Sequence, residues 1–210
     1  MIELFGSALV TFLVIIDPPG CAPIFASLTR GTPAVHRRAM AVRSSLIAWI
    51  ILMFFALLGK PMLHALGISL ASFRIAGGIM LFMIALDMVF ERRTERREER
   101  AEELKGTPEA EDISVFPMAI PMIAGPGSIA TIMLMSARAE GTVEGAIVLT
   151  AMTAVLVVTV LALLAAGPLM KLIGAKLEAM ITRILGVILA ALAAQFVLDG
   201  LERSLPGLAG

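Results

Sequence analysis

Asp17-Pro18-Pro19-Gly20 stands in the middle of the first apolar segment, with Phe12-Leu13-Val14-Ile15-Ile16 before it and Cys21-Ala22-Pro23-Ile24-Phe25 after it. An ordinary membrane helix does not carry a carboxylate, two prolines and a glycine at its centre. Each proline removes a backbone donor, and lipid cannot satisfy the carbonyl so freed. The stretch therefore reads as a built break in a membrane span, buried against protein or lining a cavity. A second break, Ala124-Gly125-Pro126-Gly127-Ser128, lies in a later apolar segment. The two read as partners.

The rest of the chain agrees with a membrane setting. Of its 210 residues 59% are hydrophobic and the formal net charge is zero, with a mean hydropathy of +0.94. Several runs reach the 20 or so apolar residues that cross a bilayer, and the size allows one domain without a separate soluble one. Balanced charge gives no sign of a nucleic-acid partner. The lone Cys21 excludes an internal disulfide. Met1-Ile2-Glu3 lacks the basic start of a secretory signal, so the first segment is taken as structural.

Hydropathy predicts an all-α membrane protein with six spans, at 3–29, 40–60, 68–90, 113–137, 144–167 and 179–199. Arg30 to Arg38 reads as a basic connector, and Pro61 as the end of the second span. The run from Glu91 to Arg100 pairs opposite charges three apart (Arg92/Glu95, Arg96/Glu99, then Arg100/Glu103). It is expected to prolong the third helix into water before a flexible linker. A single domain follows: residues 1–90, a charged linker 91–112, and residues 113–210. On the side of the linker fall Arg30, Arg37, Arg38, Arg43, Arg92, Arg93, Arg96, Arg97, Arg100, Lys105, Lys171 and Lys176. The other side has Lys60, Arg138 and Arg203. Positive residues stay inside, so the linker is expected in the cytoplasm and both termini outside.

The halves resemble each other. A shift of 107 places Pro19 on Pro126, Gly20 on Gly127, Pro61 on Pro168 and Gly67 on Gly174. A shift of 109 then places Arg74-Ile75-Ala76-Gly77 on Arg183-Ile184-Leu185-Gly186. Each half is three spans, the first of them broken. Three is odd, so the second half should lie inverted relative to the first. Broken helices at matching places in inverted repeats point to a transporter site near the midplane.

The second half-helices would bring two N-termini together from opposite sides, offering the N–H groups of Gly20, Cys21 and Ala22 and of Gly127, Ser128 and Ile129. Such positive helix ends favour an anionic group such as a carboxylate. The candidate substrate-binding residues are Asp17, Pro19, Gly20, Cys21, Gly125, Pro126, Gly127 and Ser128. Asp17 has two readings. It binds a substrate ammonium or carries a coupling proton, in which case Asp17→Asn abolishes transport, or it caps its half-helix by accepting from Gly20. Arg74 and Arg183, at equivalent places, read first as side chains that snorkel to the interface or bond to a neighbouring carbonyl, and otherwise as a gate or second carboxylate contact. Asp87, four residues before Glu91, reads as an interfacial acid. Pro117 and Pro121 are expected to loosen the approach to the fourth span. His36 and His64 fall in connectors, no metal-ligand spacing exists, and no nucleophile is paired with a base. Neither an enzyme nor a bound cofactor is expected, leaving only a coupling proton or sodium ion open.

Asp17-Pro18-Pro19-Gly20 with Pro23 and Phe25 resembles the D-P-x-G-x-x-P-x-F signature of the MarC family of inner-membrane proteins. Pro121-Met122-Ile123-Ala124-Gly125-Pro126-Gly127-Ser128 is similar to that family's P-x-x-x-G-P-G-[AS] signature. The resemblance implies a six-span protein of the inner (plasma) membrane. It also implies kinship with a superfamily of amino-acid exporters, some family members resembling transporters of small neutral amino acids such as glycine and alanine. The expected function is a secondary transporter of such solutes, its partners being the substrate, the lipid bilayer and, left open, further copies of itself. Two alternatives stand beside it: a passive facilitator or pore for small polar solutes, and a non-transporting scaffold acting through the charged linker.

Overall fold

The computed structural model describes residues 1–93, 95–96, 99, 102, 112–139 and 141–204. Its elements are helices α1 (Ile2–Ile16), α2 (Pro18–Leu28), α3 (Ala34–Ala65), α4 (Leu70–Val89), α5 (Ser114–Ile123), α6 (Pro126–Arg138), α7 (Thr142–Leu164) and α8 (Ala166–Ser204). Among the described residues, five helices or helix pairs are long and apolar enough to cross a membrane. A sixth span results if α5 and α6, bent by 55°, count as one.

The breaks fall where the prolines and glycines stand. In α1 the carbonyls of Val14 and Ile15 would bond to the nitrogens of Pro18 and Pro19, which carry no hydrogen. The helix therefore stops at Asp17, which adopts a left-handed conformation (φ 57°, ψ 64°), and α2 begins at once with Pro18 in its first turn. In the fourth span Phe116 and Ile120 are extended (φ −123° and −127°), as residues before proline prefer. Segment α5 is consequently wide-wound, and a straight helix resumes only at Pro126.

Burial separates centre from rim. The most apolar stretch of Ile2–Leu28 is 72% buried, against 28% for Ala34–Ala65 and for Ala179–Ser204. The broken spans thus lie inside a ring of intact ones, whose outward Phe54, Leu57, Val187 and Leu198 are exposed as lipid-facing residues are. Packing neighbours follow a regular pattern. α1 lies on α7 as α5 lies on α3, and α2 meets α8 and α7 as α6 meets α4 and α3. α4 and α8 pack antiparallel along their length. Gly78 faces Ala193 and Val197, Gly186 faces Ala85 and Met88, and Gly200 faces Ala71 and Ile75. A Cβ on Gly78 would lie 2.7 Å from Val197 Cγ2 and 2.8 Å from the Ala193 carbonyl oxygen, so this contact needs the bare backbone.

Several expectations are corrected. α3 is longer than the predicted span: 32 residues rise roughly 48 Å, well beyond the ~30 Å hydrocarbon layer. His36-Arg37-Arg38 thus belongs to its first turns and His64 to its last, not to connectors. Pro61 does not end the helix. The loss of one donor in the final turns is tolerated, and the stop comes at Gly67 (φ +68°), across which the Ile68 N–H donates to the Leu63 oxygen at 2.9 Å. Pro168 falls in the first turn of α8, and the kink there is at Gly174 (φ +69°). Nor does the charged run prolong α4. That helix ends at Val89, Glu91 turns left-handed (φ 62°), and the chain folds back. Of the three charge pairs, Arg100/Glu103 lies outside the described residues.

Candidate functional site

The first break closes on itself. Asp17 is 1% exposed, and its Oδ1 accepts from the Gly20 N–H at 3.1 Å. The Cys21 N–H is also taken, by the Asp17 carbonyl at 3.0 Å. Two carbonyls left without a helical partner, that of Ile16 because Asp17 takes the Gly20 N–H and that of Ile15 because Pro19 has none, find side chains. Cys21 Sγ donates to the Ile16 oxygen at 3.4 Å, and Arg93 Nη2 donates to the Ile15 oxygen at 2.8 Å. Arg93 comes from the charged run, and its Nη1 also meets Met88 Sδ at 3.0 Å. Two of the N–H groups expected to receive a ligand, on Gly20 and Cys21, are therefore already bonded within the chain.

The second break repeats two of these bonds and lacks the others: the Ile129 N–H, also expected to receive a ligand, donates to the Gly125 carbonyl at 3.0 Å, as that of Cys21 does to Asp17. Ser128 Oγ donates to the Ile123 oxygen at 2.7 Å, just as Cys21 answers Ile16 one shift of 107 earlier. Gly125, however, gives α6 no side-chain cap. Its backbone passes so close to the Pro121 oxygen that a Cβ has no room. Here the structure opens. A cavity of 360 Å³ is walled by Gly125, Pro126, Gly127 and Ser128, by Pro121 and Met122, by Met80, Met83 and Ile84 of α4, and by Ile15 at the first break. Its polar wall is Asp87, Arg93 and Arg96, with Arg96 paired to Asp87.

Of the eight candidate binding residues, the four of the second break line this cavity; Asp17, Pro19, Gly20 and Cys21 do not. Arg74 and Arg183 do not line it either. Arg183 is exposed and pairs with Glu91, in keeping with a residue at the interface. Arg74 does not snorkel: it is 1% exposed. Asp87, Arg93 and Arg96 escaped the sequence reading as site residues because each looked like part of a solvated end. One signal did exist. Pro19 strips Ile15 of its donor, so some other group had to reach that oxygen.

A family model described as "MarC family integral membrane protein" matches residues 2–205. The chain belongs to the MarC family. Its relatives include a UPF0056 membrane protein of Methanocaldococcus jannaschii, 35% identical over 97% of this chain and 98% of that protein. The UPF0056 inner membrane protein YhgN of Escherichia coli is 34% identical over 96% and 98%, and YvbG of Bacillus subtilis is 33% identical over 94% and 93%. No solved structure matches. MarC membership agrees with both signatures and with the apolar helices, and describes an integral membrane protein without naming an activity.

Proposed function

We propose that this MarC protein is a secondary transporter of small neutral amino acids in the inner (plasma) membrane, with its substrate held in the cavity at the second break. The observation that carries the reading is the wall of that cavity. It combines the uncapped N-terminus of α6, which favours a carboxylate, with the Asp87 carboxylate, which suits an ammonium, and the Arg93 and Arg96 guanidiniums. A zwitterion needs both kinds of group within one small chamber. At 360 Å³ the chamber lies at the small end of ligand sites, about 300–1,000 Å³.

Inverted repeats are part of the proposal. They are supported by the packing neighbours, which stay the same when the halves are exchanged, and by the antiparallel α4 and α8. The matched glycines Gly67 and Gly174, at φ +68° and +69°, and the matched Cys21 and Ser128 bonds support them too. The counterpart of the cavity, at the first break, is filled. The positions 109 after Met80, Ile84 and Asp87 are Leu189, Ala193 and Phe196, all buried with Val14 and Ile15. On the charge bias, the open cavity faces the cytoplasm with the linker. Alternating access would exchange which break is open.

Uptake of labelled glycine, alanine and serine into proteoliposomes, with and without proton and sodium gradients, tests the proposal. Saturable, gradient-driven uptake that Asp87→Asn lowers roughly tenfold or more is expected. Weakly saturating flux indifferent to gradients would replace the transporter by a pore. Absence of flux from folded protein, for all three solutes, would contradict both.

A further inference from the structure

Arg74 heads the buried side chains by volume, and it stands in the membrane helix Leu70–Val89 at 1% exposure. Its Nε and Nη1 have no hydrogen-bond partner among the described residues. A guanidinium cannot escape this by losing its proton, and an unpaired one in apolar surroundings is strongly disfavoured. The other half shows what is missing. Arg183, which stands 109 residues after Arg74, pairs with Glu91. The residue 109 after Glu91, which would answer Arg74, is Gly200. No carboxylate fits there, because a Cβ on Gly200 would lie 2.7 Å from Ile75 Cγ1 and 3.0 Å from the Ala71 oxygen.

The surroundings add positive charge. α6 runs antiparallel to α4, with Gly127 beside Ile84 and Leu134 beside Gly77. α8 does the same, with Gly186 beside Met88 and Gly200 beside Ala71. Arg138 and Arg203, at the far ends of α6 and α8, are therefore brought to the end of the bundle where Arg74 sits. The half-buried carboxylate at this end, Asp199, is already engaged by Arg138 and by Gln195 Nε2 at 2.7 Å, while Glu202 is exposed. Repulsion among guanidiniums, with no half-buried carboxylate left free for Arg74 among the described residues, makes this a place that an added oxyanion would stabilise.

We propose that Arg74 anchors an oxyanion-binding site at this end of the bundle, taking a carboxylate or phosphate group that the described residues do not supply. The planar fork of a guanidinium meets two oxygens of either group at once. The site is distinct from the cavity at the second break and does not depend on the transport reading. Two sources offer the same chemistry: a small free anion and a lipid phosphate headgroup.

The full-length protein, purified in an uncharged detergent, is titrated at constant ionic strength with sodium acetate, with sodium phosphate, and with phosphatidylglycerol against phosphatidylcholine. Its unfolding temperature is followed throughout. A saturable rise of roughly 5 °C is expected in at least one arm. Response to acetate or phosphate identifies a free anion, and response to phosphatidylglycerol alone identifies a headgroup. The rise should vanish in Arg74→Gln and persist in Arg183→Gln, whose guanidinium already has Glu91. Arg74→Lys, which keeps the charge without the fork, should weaken it severalfold in half-saturating concentration, and serves if Arg74→Gln does not fold. No rise in any arm with the unaltered protein would overturn the proposal. So would a rise undiminished in the Arg74 variants, or one lost equally in Arg183→Gln.

Discussion

The two broken spans share a plan and differ in who completes it. At both, a small side chain just after the break bonds back to a carbonyl just before it, Cys21 to Ile16 and Ser128 to Ile123. At the first, the chain supplies the rest: Asp17 caps Gly20, and Arg93 reaches Ile15 from 78 residues away. At the second, Gly125 offers no cap and the backbone faces a cavity. A helix N-terminus satisfied by its own carboxylate is structural, and one left to a cavity is available to a ligand. The same break can therefore be closed in one half and border a cavity in the other.

That contrast is breakable. The largest effect is expected from filling the open break. Gly127→Leu projects toward Ile84 Cδ1, 2.7 Å from the added Cβ, the yielding end of a side chain. It should lower alanine uptake into proteoliposomes by about 100-fold or more with the protein still folded, as displacement from a binding geometry does. Next comes the pair of acids. Asp87→Asn should lower uptake roughly tenfold or more, the loss of one charge-assisted contact, whereas Asp17→Asn should stay within about twofold, because asparagine caps as well as aspartate. Equal losses from both would return Asp17 to the substrate. Third, Asp17→Ala removes the cap and should destabilise by about 1 kcal/mol, lowering the unfolding temperature in detergent by about 2–4 °C. The smallest effect separates the matched bonds. Ser128→Ala leaves the buried Ile123 oxygen short of a 2.7 Å donor and should be destabilising by about 1 kcal/mol. Cys21→Ala gives up only a weak thiol bond of 3.4 Å and should be destabilising by a few tenths.

Both breaks and the spans were legible because prolines and glycines act locally. Pro18 and Pro19 remove donors wherever the chain goes, and Gly67 and Gly174 mark left-handed turns by themselves. The reach of α3 was not legible, since hydropathy reports how much of a helix is apolar and not where its hydrogen bonds stop. Nor was the fate of the charged run. The turn at Glu91 depends on Arg183 and the fold-back depends on Ile15, both distant in sequence. Asp17 shows a finer gap. Its capping bond follows from spacing alone, but its separation from the cavity does not, since that depends on how α4 packs against α6. The burial of Arg74 was hidden for the same reason. Its equivalent Arg183 opens the same Arg-Ile-x-Gly pattern and sits exposed.

Cysteine accessibility tests the contrast most directly, because the native thiol already marks the closed break. In inside-out vesicles, Cys21 in the unaltered protein is compared with a Cys21→Ser/Ser128→Cys variant, using a small membrane-impermeant methanethiosulfonate. The account predicts no reaction at position 21, and reaction at position 128 that saturating alanine slows severalfold. Reaction at position 21 with none at position 128 would contradict it, placing the open site at the first break.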